Sequence, residues 1–419
     1  MSRICSMMCT ILLLATTAGA QSTDASDKET IRLLVQQVKE LQAKVQVLES
    51  KQSAAVGPSN SMASPQAGEA TAANPESSFL QEVHEVRGIQ WRGFGEMNYK
   101  VLDQRTPELG TFGFVPGSAG NFFTGDFDLL LTSRINDKAS VLSEVVIGEG
   151  DAQSFDVDLE RVLFKYDYND HLRVSLGRYH TGIGYYNTAF HSGKWLQTTA
   201  DRPLVMEFAN DGGMLPTQAV GVSITGLVPS RGLGLNYFVE YGSSDTIRPN
   251  ITGVGEVDEN NGNHINIGAF LRPDSVPGLQ VGGSIYHDKI SDFAQGPSVR
   301  LGQTIVNAHV VYNHKGIEFL NEGFLIRHAY ENSTTVFNMP AFYSQFSKRF
   351  GRWRPYVRYQ YANANPNSIL QDVSLRHGPS FGSRYEFNDN VAFKLQLDHT
   401  LRKNQPDLNG LQTQLAFTF

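Results

Sequence analysis

The chain has 419 residues with a formal net charge of -7 at pH 7, 40% hydrophobic and 18% charged residues. A negative net charge argues against proteins that bind polyanions, so we expect no nucleic-acid partner. The 39 Gly, 25 Phe and 16 Tyr residues favour a large all-β chain over a helical one.

Residues 1–20 carry the pattern of a secretory signal peptide. Arg3 precedes the apolar run 11–15, and the small residues 18–20 supply an A-x-A cleavage site. We expect the mature protein to begin near Gln21. Both cysteines precede this site, so the sequence predicts an exported protein without disulfides.

Residues 28–52 carry the pattern of a short α-helical coiled coil. Apolar side chains recur at alternating spacings of three and four and form an a/d heptad seam: Ile31, Leu34, Val38, Leu41, Val45 and Leu48. Charged residues occupy the other faces. About three heptads are marginal alone, so the attached domain sets the number of subunits. The segment therefore predicts a homo-oligomer.

Residues 53–78 predict a flexible linker, because Ala, Ser, Pro, Gly and Asn dominate and bulky apolar residues are almost absent. From residue 79 to 419 the sequence alternates between apolar and polar residues. Near the C-terminus, for example, Phe393 and Leu395 lie opposite Lys394. No stretch after the signal approaches the roughly 18 apolar residues of a spanning helix, so we expect no helix to cross a bilayer.

The alternation predicts about sixteen strands. They lie near residues 87–101, 121–135, 139–148, 156–168, 171–179, 217–228, 232–243, 263–273, 278–289, 302–314, 316–330, 336–349, 352–362, 373–386, 390–402 and 409–419. Short turns follow the even-numbered strands and longer loops follow most odd-numbered ones. A soluble β-sandwich also alternates, but it has no reason to sort its loops in this way. The sequence therefore predicts an all-β fold, a closed transmembrane antiparallel β-barrel spanning residues 79–419.

Two pairs of aromatic residues fit the girdles of a membrane barrel. Trp91 and Tyr99 share the outward face of the first strand, and Trp353 and Tyr361 repeat that spacing on the thirteenth. At about 3.3 Å per residue and a tilt of about 40°, the separation rises roughly 20 Å, close to the height of the apolar band.

The last strand ends in the alternating residues Leu415, Phe417 and Phe419. We expect it to pair with the first strand, with both phenylalanines facing lipid. In this ending the chain resembles Gram-negative outer-membrane porins, whose final strand typically ends in Phe and signals to the barrel-assembly machinery. With its signal peptide, coil, linker and strands, it also resembles substrate-selective trimeric porins with a periplasmic N-terminal coiled coil. These are the phosphate-selective porin O/P type and its sugar- and dicarboxylate-selective relatives.

The resemblance implies a homotrimer in the outer membrane, surrounded by lipid and lipopolysaccharide, with the coil in the periplasm. It also implies that the longest loop, residues 180–216, folds into the lumen and forms the constriction. The candidate side chains of this loop are Lys194, Trp195, Arg202, Glu207 and Asp211. An exposed lid or a contact between subunits is the alternative for this loop.

A sixteen-stranded barrel encloses a lumen too wide for side chains to fill, so we expect a water-filled channel. Charged residues predicted to line its wall are Arg92, Glu96, Lys100, Asp126, Asp128, Arg134, Arg173, Arg354, Arg358 and Lys394. Rings of one charge would set ion selectivity, but here neither sign dominates. The sequence does not identify the solute or predict a preference for anions or cations.

Other patterns are weaker. His180, His191 and Asp201 match no compact set of metal ligands, so we predict neither a metal nor a cofactor. The adjacent His191 and Ser192 could suggest an outer-membrane hydrolase, but neighbours along a chain seldom point at each other. A third hypothesis is a structural protein whose coil tethers the outer membrane to the cell wall. We expect a passive diffusion channel for small hydrophilic solutes rather than an enzyme.

Overall fold

The computed structural model describes residues 88–103, 109–110, 113–114, 120–149, 155–207, 213–244, 262–292, 299–370 and 373–419. The predicted signal peptide, coiled coil and linker lie outside the described residues, and so does Asp211.

Sixteen antiparallel strands form one closed barrel, as the sequence predicts. They are β1 (Ile89–Leu102), β2 (Asn121–Arg134), β3 (Ala139–Glu149), β4 (Phe155–Asn169), β5 (Leu172–His180), β6 (Gln218–Val228), β7 (Leu235–Ser244), β8 (His264–Leu271), β9 (Leu279–Ser291), β10 (Arg300–His314), β11 (Ile317–Tyr330), β12 (Val336–Lys348), β13 (Trp353–Asn363), β14 (Leu375–Glu386), β15 (Val391–Arg402) and β16 (Leu408–Thr418). Neighbours in sequence are neighbours in the sheet. A two-residue hairpin, Leu109–Gly110 with Gly113–Phe114, lies in the first long loop.

The barrel closes where β16 pairs with β1, which confirms the predicted pairing of the last and first strands. The register runs from Phe94 opposite Thr418 to Leu102 opposite Gly410. Beyond β16, the backbone N–H of Phe419 donates to Gly93 O at 3.0 Å, and Gly93 N–H donates back at 2.9 Å. The closed ladder leaves neither end of the sheet as an open edge.

Small residues at this seam leave room for the terminal aromatic rings. A Cβ added to Gly93 would lie 2.3 Å from the ring of Phe419, and one added to Gly95 would lie 2.6 Å from the ring of Phe417. The phenylalanine rings therefore lie against the glycine backbone on the outer face of β1.

Side chains divide between the two faces with the expected period of two. On β15, Phe393, Leu395 and Leu397 are exposed on the outside, while Lys394 and Gln396 are buried inside. The outward Trp91 is 60% exposed and contacts Phe419 edge-on, with ring centroids 5.7 Å apart. The exterior is thus apolar and aromatic, and the interior carries the polar side chains.

The short connections are stabilised by asparagine side chains, whose oxygens accept hydrogen bonds from backbone N–H groups of the turn. Asn136 Oδ1 accepts the backbone N–H groups of Lys138 and Ala139 at 2.9 Å between β2 and β3. Asn388 Oδ1 accepts from Asn390 and Val391 at 2.8 Å between β14 and β15. No helix among the described residues is long and apolar enough to cross a membrane.

Candidate functional site

The described parts of the connection between β5 and β6, residues 181–207 and 213–217, fold into the barrel, and we call them the inward loop. It contains a short helix, α1 (Tyr185–Phe190), and two 3₁₀ turns, Lys194–Leu196 and Leu204–Met206. Its two ends meet where Thr181 N–H donates to Thr217 O at 2.9 Å. The loop therefore leaves the wall and returns to it at one point.

One side of the inward loop packs on the inner wall. Ile183, Tyr186, Phe190 and Met206 are buried in a single apolar cluster with inward residues of β9 to β13. Tyr186 meets Tyr343 of β12 edge-on at 5.8 Å. This buried apolar surface favours the inserted position of the loop over an exposed one.

Carboxylates on the wall hold the first part of the inward loop by its backbone. Glu322 of β11 accepts the N–H groups of Tyr185 at 2.5 Å and Tyr186 at 2.8 Å, which begin α1. Glu240 of β7 accepts the N–H of Gly182 at 3.0 and 3.1 Å. These hydrogen bonds satisfy buried backbone donors that would otherwise have no acceptor.

Basic residues on the opposite wall bind the backbone carbonyls in the second part of the inward loop. Lys394 Nζ donates to the carbonyls of Lys194 at 2.6 Å and Thr199 at 2.9 Å. Arg384, which was not among the residues predicted from the sequence, donates to the carbonyls of Trp195 at 2.5 Å and Gln197 at 2.8 Å. Arg384 could have been identified from the sequence by its inward position in the alternating pattern of β14.

Arg358 and Arg354 of β13 contact the same second part of the inward loop, at residues 198–201. Arg358 is 0% exposed, and it donates to Asp201 O at 3.0 Å and pairs with the carboxylate of Asp201. Arg354 lies 3.5 Å from both Thr198 Oγ1 and Glu318 Oε2. Arg354, Arg358 and Lys394 were predicted to line a water-filled wall. They do point inward, but the inward loop covers Arg358 and Lys394, so these two bind its backbone instead of facing open water.

Asp201 is the acidic partner in this contact. Burial alone would raise its pKa, but the charges of Arg358 and Lys100 and the hydrogen bonds from Gln396 and Arg358 hold the pKa of this carboxyl below its ordinary value. Gln396 Nε2 donates to Asp201 Oδ1 at 2.7 Å, and Gln396 Oε1 accepts the N–H of Ala200 at 3.1 Å. Asp201 therefore remains ionised in the folded protein at neutral pH.

Trp195, a predicted constriction residue, lies between two guanidinium groups. Arg92 stands 5.5 Å and Arg384 5.3 Å from its ring. Phe94 stacks on it at 6.4 Å, and Gly193, with φ +60°, fits against Phe94 where a Cβ would come within 2.5 Å of the ring. The neighbouring Lys194 is half-buried.

The remaining predicted residues fall into three groups. Arg202 is buried and donates to His191 O at 2.6 Å, whereas Glu207 is half-buried. Glu96 and Asp128 are buried inside, while Lys100 and Asp126 are half-buried. Arg134 and Arg173 are exposed at the rim of the short turns, where Arg134 bonds to the carbonyls of residues 136 and 137 and Arg173 pairs with Asp170 at 3.3 Å. These two arginines lie apart from the inward loop because they stand at the short-turn ends of β2 and β5.

A cluster of histidines and glutamates lies where the inward loop meets β4 and β5. The rings of His180 and His191 stack with centroids 3.6 Å apart, and both approach Glu160. Burial and the charge of Arg202 lower the pKa of His191. Asp201, the third residue considered with these histidines, pairs with Arg358 instead. Glu160 could not be identified from the sequence, because only folding brings it to the histidines.

Ser192 does not have the surroundings of a nucleophile. Arg161 Nη2 donates to its Oγ at 3.1 Å, whereas His191 directs Nδ1 to Asn187 at 2.8 Å and Nε2 towards Glu160 at 3.5 Å. The described geometry therefore gives no support to the hydrolase hypothesis.

No protein-family model and no curated protein matches the chain. Solved structures do match its fold. The anion-selective porin from Comamonas acidovorans aligns over 79% of this chain and 99% of its own, with 12% identity and a TM-score of 0.54. The outer membrane channel DcaP of Acinetobacter baumannii covers 79% and 97%, with 9% identity and a TM-score of 0.53. Salmonella typhi OmpF, in a complex with daunomycin, covers 79% and 97%, with 13% identity and a TM-score of 0.51. This chain therefore shares the barrel fold of these outer-membrane channel proteins.

Proposed function

We propose that the protein is an outer-membrane porin, a passive diffusion channel for small hydrophilic solutes. The observation that carries the proposal is a closed sixteen-stranded barrel that is apolar outside and polar inside, with one long loop folded into its interior. A barrel of this size is wide enough for an aqueous channel, and the likeness of fold to known porins supports the same function.

The apolar exterior supports a location in the outer membrane of a Gram-negative bacterium, in contact with lipid and lipopolysaccharide. Trp91 and Trp353 are exposed near the rim of the short turns, as an aromatic girdle requires. In this location Leu415, Phe417 and Phe419 would form the signal for the barrel-assembly machinery. The heptad seam at 28–52 supports a homo-oligomer, and we propose a trimer with the coil in the periplasm.

The inward loop would form the constriction. It crosses the interior from β5 to β11 and to β13–β16, so it narrows the space through which a solute passes. Half-buried Lys194, Asp201 and Glu207 would meet solutes from the loop side, and half-buried Lys100 and Asp126 from the wall. Both signs of charge are present, which creates a transverse field that orients dipolar or charged solutes.

Planar-bilayer conductance of the purified protein tests the proposal. We expect discrete current steps that arrive in threes, and the zero-current potential under a salt gradient gives the preferred ion. Folded, heat-modifiable protein that produces no steps would contradict the channel function. A variant without residues 28–52 should still conduct, which separates a channel from a tether.

Deletion of residues 181–215 tests the constriction separately. We expect larger current steps and weaker sieving of solutes by size. Conductance and sieving equal to those of the intact protein would remove the loop from the constriction while leaving the channel function in place.

A further inference from the structure

We propose that Glu160, His180 and His191 bind one divalent transition-metal ion of the Zn²⁺ class. Glu160 Oε2 lies 3.5 Å from His191 Nε2 and 3.9 Å from His180 Nε2. The three ligand atoms lie within 4.8 Å of one another. A tetrahedral ion with bonds of about 2.0–2.1 Å places neighbouring ligand atoms about 3.3 Å apart. The two distances from Glu160 exceed this separation by about 0.2 and 0.6 Å, and the widest of the three by at most about 1.5 Å, so side-chain movements of this size would complete the geometry of a metal site.

The hydrogen bonds around Asn187 fix the form of the His191 ring. Asn187 Nδ2 donates to the carbonyls of Thr181 at 2.8 Å and Thr217 at 2.9 Å, so its Oδ1 must be the atom facing His191. Oδ1 lies 2.8 Å from His191 Nδ1 and can only accept, which places the ring proton on Nδ1. Nε2 of the neutral ring then directs a lone pair towards Glu160, as in metal-bound histidines whose other nitrogen donates to an oxygen.

The second histidine also offers a nitrogen to this point. His180 Nε2 is buried and makes no hydrogen bond with any residue that the structure describes, although Glu144 Oε2 lies 3.8 Å away. Glu160 Oε2 also accepts a hydrogen bond from Gln218, and Glu144 Oε2 pairs with Arg161, so both carboxylates are held in place beside the two rings. A metal ion would turn this arrangement into coordination, with water or Glu144 in the fourth position.

The ligand set selects the class of ion. Two imidazoles and one carboxylate suit Zn²⁺, Cu²⁺ or Ni²⁺, whereas Ca²⁺ and Mg²⁺ prefer sites built only of oxygen. Arg161 pairs with Glu144, Arg202 donates to His191 O at 2.6 Å, and Arg178 donates to Glu160 O at 3.1 Å, so three cations lie near the site. The carboxylates of Glu144 and Glu160, together with Asp158 at 3.8 Å from Arg178, offset them. The ion would join β4, β5 and the inward loop, and it would stabilise the folded state by mass action.

Calorimetric titration of the untagged, full-length protein in detergent with ZnCl₂, after removal of metals by a chelator, tests the site. We expect one Zn²⁺ per chain. Because even loss of an outer hydrogen-bond partner weakens metal binding about 10- to 100-fold, His191→Gln and Glu160→Gln should each weaken it at least about tenfold. His171→Gln, the same change at an exposed histidine in a short turn, should leave the affinity unchanged.

Titration with Co²⁺ provides a second readout that does not depend on the variants. A site with imidazole and carboxylate ligands and few waters should give an intense visible absorption band in the intact protein, and Zn²⁺ should remove the band by competition. Heat-modifiability on gels shows whether each variant is folded. Absence of saturable Zn²⁺ binding to the folded intact protein, or equal affinity in folded His191→Gln, would overturn the proposal. Neither measurement depends on whether the barrel conducts.

Discussion

Arg358 shows how single residues determine the use of the barrel interior. Its guanidinium is fully buried, which is tolerable only because Asp201 supplies the opposite charge and loop oxygens accept its N–H groups. A basic residue at an inward position was expected to face water in a channel. Here the lumen contains a segment of backbone with its own carbonyls, so the same charge becomes an anchor.

Replacement of Arg358 by Met should release this part of the inward loop. Breaking a buried ion pair by removal of one partner costs about 3–5 kcal/mol, and the lower end applies because the Asp201 side chain is 23% exposed. About 3 kcal/mol raises the population of undocked loop about a hundredfold. Trypsin cleavage after Lys194 or Arg202 measures that population. Arg134→Met, at an exposed rim arginine, is the control, and cleavage no faster than in the control would show that Arg358 is not an anchor.

The charge of Asp201 predicts how docking depends on pH. The pKa of this carboxyl is lowered in the docked loop, so the undocked state binds a proton more readily. The stabilisation from Asp201 is therefore complete well above the ordinary Asp pKa of about 3.9, and it is lost as the pH falls through the lower, docked pKa. Amide hydrogen exchange at residues 199–201, corrected for its intrinsic pH dependence, should rise only under acidic conditions. Asp201→Asn should abolish this rise in exchange at acidic pH. A rise that persists in the variant would mean that another group titrates.

At the scale of elements, the inward loop depends on close backbone approaches as well as on charges. Gly193 has φ +60° and lies against Phe94 of β1. Gly184, with φ +84°, lies where a Cβ would come within 2.7 Å of Glu322 Oε2. These glycines let the loop turn towards the wall at the two ends of α1.

Gly193→Ala should displace the loop, because the added Cβ would meet the Cβ and Cγ atoms of Phe94, which cannot swing away like the end of a flexible chain. Gly351→Ala is a matched control, since Gly351 has φ +58° with no atom within 4 Å of an added Cβ. Both changes carry the strain of a left-handed backbone, about 1–2 kcal/mol. Thermal unfolding and loop cleavage should change more in Gly193→Ala. Equal changes in the two variants would mean that Phe94 moves aside without a loss of stability.

The strands were predictable from the sequence and the loop's contacts were not, for physical reasons. A strand in a membrane barrel repeats every two residues, so Phe393 and Lys394 reveal opposite faces directly. The glutamate and two histidines at 160, 180 and 191 belong to two strands and a loop, and only the fold brings them together. An inward charged side chain faces water or contacts the inward loop, depending on where that loop lies. The local sequence pattern does not predict the position of the loop.

At the scale of the whole molecule, closure decides whether the barrel exists. In the proposed membrane location, the backbone groups that β1 and β16 direct at the seam need each other, because lipid offers no hydrogen bonds. The seam extends past the last ladder residue through the bonds of Phe419 with Gly93. The ring of Phe419 also contacts Trp91 at 5.7 Å and Phe127 at 5.6 Å, which ties β16 to β1 and β2.

Phe419→Ala should therefore weaken the closed barrel. The residue keeps 46% of its surface exposed, so the expected loss is about 1–2 kcal/mol, below the 3–5 kcal/mol of a fully buried Phe. Unfolding by urea of protein refolded into lipid vesicles, followed by gel mobility, measures it. Phe350→Ala removes an equally large and more exposed ring at a turn away from the seam, and it controls for lost lipid contact. Refolding in vesicles involves no assembly machinery, so a larger loss in Phe419→Ala reports packing at the seam. Equal losses would restrict Phe419 to its proposed role as a recognition signal.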